Sequence, residues 1–98
     1  MSPKNKKKLD QIRRSLDNLD NKLINLIKIR KDLVNEVIKQ KEFKKEIIDR
    51  KRIKFILKNI KSKSIKKGID PKISYRIWKS MIYAFIEYEY KNFKKKVK

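Results

Sequence analysis

Between residues 9 and 41 the apolar side chains recur in steps of three and four, at Leu9, Ile12, Leu16, Leu19, Leu23, Leu26, Leu33 and Val37. That rhythm dictates an amphipathic helix. No Gly or Pro interrupts it, so the helix is expected from about residue 6 to residue 43, roughly 55 Å at the usual rise. A compact domain of this size has a radius of gyration of about 13 Å. The helix therefore outruns its own subunit, and its far end must meet a second chain or stand bare. Its length argues for a dimer.

One slot of the stripe, between Leu26 and Leu33, holds Arg30. A cation on a buried stripe is costly unless something anionic meets it. Helical rotation places Lys41 within roughly 20° of Arg30 and about 16 Å further along. Two cations thus look out from one apolar seam. On this stretch alone two readings stay open: a site for an anion, or a long helix whose cations snorkel to water.

With one Gly and two Pro among 98 residues, the rest of the chain also reads as all-α. Cys and His are absent from the sequence, which excludes thiol nucleophiles, disulfides, the usual zinc sites and an imidazole general base. No apolar run reaches the roughly 18 residues of a membrane span, and residues 1–8 lack a signal-peptide core. A cytoplasmic protein with no membrane partner is the expectation. The net charge of +20 raises the question of nucleic acid. The lysines, however, are spread over every segment, and Lys, Ile and Asn are abundant together while Ala occurs once, a pattern of AT-rich codons. So diffuse an excess reads first as a solvated surface, and nucleic acid is not the expected partner.

Residues 1–8 and 94–98 are basic ends expected to fray. Residues 44–48 form a short connection, after which Asp49 is placed to cap a second helix over residues 50–66. That helix is expected to bury Ile53, Ile56, Leu57 and Ile60. Gly68 stops it, and Asp70 with Pro71 restarts the chain as N-cap and first helical residue. The third helix is expected to bury Ile73, Ile77, Trp78, Met81, Ile82, Phe85 and Ile86 before a basic tail from Lys91. Neither an internal repeat nor a second domain is evident, so residues 1–98 read as one helical domain. The third helix has its own intruder. Glu89 lies four residues after Phe85 and seven after Ile82, where an ionised carboxylate is costly unless a Lys or Arg approaches it. The blander reading is a helix end where the stripe meets water.

Three groups of residues then fall into a familiar order. The first is Ile12-Arg13, Leu16-Asp17-Asn18-Leu19-Asp20, Leu26-Ile27-Lys28-Ile29-Arg30 and Val37-Ile38-Lys39-Gln40-Lys41. The second is Ile48-Asp49-Arg50-Lys51-Arg52, and the third is Gly68-Ile69-Asp70-Pro71. Together they resemble the all-helical, AroQ-type chorismate mutases over nearly the whole chain. The resemblance implies an intertwined homodimer of three-helix subunits, one long helix and two shorter, with the long helix spanning both active sites. It implies no cofactor and a small dianion, chorismate, as substrate.

Carried over position by position, Arg30 and the partner subunit's Arg13 would grip the two substrate carboxylates, a task that suits the planar guanidinium fork. Lys41 would donate to the ether oxygen and a carboxylate. Asp49 and Arg52 match polar positions near the substrate hydroxyl, and Glu89 occupies the slot of a second donor to the ether oxygen, often Gln in the family. The reaction implied is an intramolecular Claisen rearrangement of chorismate to prephenate, on the route to phenylalanine and tyrosine. It needs no nucleophile and no metal.

Two positions depart from the mutase pattern. Ile53 stands where many mutases have a Glu, and Phe85 where a small Ser often helps bind a carboxylate. Both look more like the isochorismate-pyruvate lyases, which share the fold. A lyase or another enzyme of a chorismate derivative is thus one alternative, and a non-catalytic basic dimer binding nucleic acid is a second. Arg30, Lys41 and Glu89, all set on apolar stripes, speak against the second.

Overall fold

A computed structural model describes residues 2–94 and is all-α. Among these residues three helices, α1 (Pro3–Gln40), α2 (Arg50–Lys66) and α3 (Pro71–Asn92), are joined through a single 3-10 turn at Lys44–Glu46, without strands. No helix among them is long and apolar enough to cross a membrane.

Local chemistry sets each boundary. α1 begins earlier than expected, because Ser2 and Pro3 form a cap and first-turn pair: the Ser2 hydroxyl accepts from the Asn5 amide at 3.2 Å. Residues 3–8 are therefore part of the helix. The expectation for the other end falls outside the described residues except at Lys94. α1 also stops before residue 43. The Glu46 carboxylate accepts from the Glu42 and Phe43 amides at 2.8 and 3.3 Å and folds that stretch into the 3-10 turn. Asp49 caps α2, its carboxylate accepting from the Arg52 amide at 3.0 Å. Gly68, at φ +71°, closes the same helix in a Schellman motif, with Ile69 N–H donating to Ser64 O at 2.9 Å and Gly68 N–H to Ile65 O at 3.2 Å. Asp70 then caps α3 through the Lys72 amide at 3.0 Å, with Pro71 opening the helix.

The chain divides into two compact units, Met1–Leu33 and Val34–Lys98. The first is the N-terminal run of α1. Its stripe residues Ile12, Leu16, Leu19, Leu23 and Leu26 are all exposed, as are Ile24, Ile27 and Ile29 beside them.

The second unit comprises the last turns of α1, the 3-10 turn, and α2 packed on α3. Ile47, Ile82 and Ile86 form its core, with Ile53, Ile56, Leu57, Tyr90 and Phe93 packed against them. Expectation and structure part at two faces. On α1 the buried residues are Val34 and Ile38, each 9% exposed, while the expected Leu33 is 62% exposed. One residue turns the face by about 100°, so the last turns of α1 pack within the second unit through Val34 and Ile38 and leave Val37 exposed. On α3, Ile73 and Ile77 are exposed and Ser74 is buried in their place. Ile60 is half-buried, as are Trp78, Met81 and Phe85.

Candidate active site

A buried ion pair lies where three elements of the second unit meet. Lys41, one residue past the end of α1, donates from Nζ to Glu89 Oε1 at 3.1 Å and to the Ile47 carbonyl at 3.4 Å. Glu89 sits on the last turns of α3 and is 7% exposed, among the buried residues of an otherwise apolar line with Ile82 and Ile86. The two side chains retain 18% and 10% of their exposure. The other ion pairs among the described residues, Lys31–Asp32 and Lys39–Glu36, lie on the open surface.

Neighbouring residues fix this corner. The Tyr88 hydroxyl, from α3, donates to Asn35 Oδ1 on α1 at 2.6 Å. The Ile47 carbonyl that accepts from Lys41 belongs to the most buried core residue, at 3% exposed. An ammonium and a carboxylate held this way supply one strong donor and one group that donates only when protonated.

The other residues singled out from the sequence lie as follows. Asp49 is exposed and its carboxylate is engaged in capping α2. Arg52 is exposed, its guanidinium 5.4 Å from the Phe55 ring centroid. Ile53 packs against the core. Phe85, one turn before Glu89, is half-buried and meets the Tyr88 ring edge-on at 6.3 Å. Arg13 and Arg30 belong to the Met1–Leu33 unit, Arg13 exposed and Arg30 half-buried. The structure thus joins Lys41 to Glu89 through their side chains, and Asp49 to Arg52 through a backbone amide. The Ile47 carbonyl and the Asn35–Tyr88 bond escaped sequence reasoning. A backbone carbonyl carries no sequence signal, whereas Tyr88 beside the intruding Glu89 offered a faint one.

The family model for chorismate mutase type II matches residues 12–90. The chain belongs to that family. No curated protein and no solved structure matches it. As a chorismate mutase it is an isomerase, and Lys41 and Glu89 both fall inside the matched residues.

Proposed function

We propose that this chorismate mutase converts chorismate to prephenate at a site centred on Lys41 and Glu89, in the supply of phenylalanine and tyrosine. The supporting observation is the buried Lys41–Glu89 pair at 3.1 Å, held in an apolar corner by the Ile47 carbonyl.

The rearrangement breaks the ether C–O bond and forms a C–C bond within one molecule. The protein therefore has two tasks: to hold the dianion folded with its reacting ends together, and to stabilise charge that builds on the ether oxygen. Lys41 donates to that oxygen. An ionised Glu89 is acceptor-only and would repel the developing charge, so its productive form carries a proton and donates. Arg30 and the partner subunit's Arg13 clamp the carboxylates, while Asp49 and Arg52 lie toward the substrate hydroxyl.

This reading includes a homodimer with shared sites. The exposed Ile12, Leu16, Leu19, Leu23 and Leu26 support it, since a second copy of α1 offers the matching apolar surface. Ile53 and Phe85 favour a second reading, in which the substrate is isochorismate and the products are pyruvate and salicylate.

The test is incubation of the purified protein with chorismate and, separately, with isochorismate, followed by product identification. Prephenate from chorismate is expected. Pyruvate and salicylate from isochorismate, with chorismate untouched, would replace the mutase reading by the lyase one.

A further inference from the structure

Lysines run through the whole chain, but acids do not. Residues 50–86 hold twelve of the 31 Lys and Arg and one of the eleven Asp and Glu, so this segment carries +11 of the net +20. Its single acid, Asp70, is engaged in capping α3. All twelve cations are exposed, and none takes part in an ion pair among the described residues.

The packing of α2 on α3 gathers part of this charge around a groove of about 540 Å³. Lys58 and Lys61 come to it from α2, Lys72 and Arg76 from α3, over apolar surface from Leu57 and Tyr75. No carboxylate lines it, and it shares no residue with the Lys41–Glu89 site. Four like charges around one groove repel one another, and a polyanion that replaces their counterions relieves the repulsion. The ring of Tyr75, 45% exposed with the Lys79 ammonium 5.4 Å from its centroid, also borders the groove, and its remaining surface and the guanidinium of Arg76 are able to stack on a base.

We propose that the α2–α3 groove binds single-stranded nucleic acid, with Lys58, Lys61, Lys72 and Arg76 on the phosphates and a base against Tyr75. The charge and aromatic surface occur together here, whereas an acidic protein would call for the charge alone. The binding is independent of the mutase site.

The experiment is fluorescence anisotropy of a labelled oligothymidylate of about twenty nucleotides with the full chain, as a function of salt. Four phosphate contacts predict a log–log slope of about −3, or roughly fiftyfold weaker binding at 200 than at 50 mM salt. Reversing the groove (Lys58→Glu, Lys61→Glu, Lys72→Glu, Arg76→Glu) is expected to abolish binding and leave mutase turnover unchanged. Reversing Lys4, Lys6, Lys7 and Lys8 to Glu, the same change in net charge on α1, is expected to leave most of it. Tyr75→Ala should weaken binding about fivefold without changing the slope. Equal losses in the two reversed proteins would overturn the proposal in favour of net charge alone. Displacement by polyglutamate as effective as by unlabelled oligonucleotide would overturn it in favour of an acidic protein. If the reversed groove prevents folding, the four glutamine substitutions replace it, with the same loss expected and retained binding contradicting the proposal.

Discussion

The ion pair of Lys41 and Glu89 is structural, and the proposed function gives both residues a second, catalytic role that single substitutions separate. Removing Lys41 leaves a carboxylate at 7% exposure without its cation. Lys41→Met is therefore expected to lower unfolding stability by on the order of 3 kcal/mol. Adding Glu89→Gln should return much of that stability, read as a denaturation midpoint, but none of the catalysis. Catalytic efficiency should fall at least about a hundredfold in Lys41→Met and in Arg30→Ala, because each deletes a charge-assisted contact to a dianion. Glu89→Gln alone gives a different signature. An amide donates at any pH, whereas a carboxyl stops donating when it ionises. Glu89→Gln, which keeps a donor at that position, should therefore retain catalytic efficiency, whereas Glu89→Ala, which leaves no donor, should lower it about a hundredfold. Equal losses in Glu89→Gln and Glu89→Ala would show that Glu89 is not the ether-oxygen donor.

At the scale of elements, boundaries set by local chemistry were legible and those set by distant side chains were not. Asp49, Gly68 and the Asp70-Pro71 pair place both ends of α2 and the start of α3 because each acts on amides or carbonyls within a few residues. Ser2-Pro3 acts as locally, but it is hidden in a basic run that reads as a tail. The end of α1 depends on Glu46, a side chain beyond the helix, and no periodicity records it. Periodicity likewise reveals an apolar stripe without saying what covers it, which is why Val34 and Ile38, and not Leu33 and Val37, prove to be the buried pair on α1. The candidate site was readable where a charged residue broke an apolar line, at Lys41 and Glu89. The αL position of Gly68 gives a direct check on the α2 terminus. A Cβ there meets nothing within 4 Å, so Gly68→Ala should cost only backbone strain, about 1 kcal/mol in urea denaturation.

For the whole molecule, the exposed apolar run of Met1–Leu33 and the shared-site reading make the same demand, a second copy. Folding and assembly are then one equilibrium, so the melting temperature should rise with protein concentration. A folded monomer at micromolar concentration in analytical ultracentrifugation would contradict this. The proposed shared site, with Arg30, Lys41 and Glu89 drawn from one chain and Arg13 from the other, is testable in the same way. Arg13→Ala and Lys41→Ala should each be inactive alone. In a mixed dimer of the two, one site is intact and the other carries both lesions. Random exchange at equal amounts makes half the dimers mixed, so activity should return to about a quarter of wild type. The decisive measurement is prephenate formation by the two variants after denaturation and refolding together, with mixed dimers confirmed by mass. Recovery near a quarter is the result predicted; mixed dimers without activity would contradict the shared site.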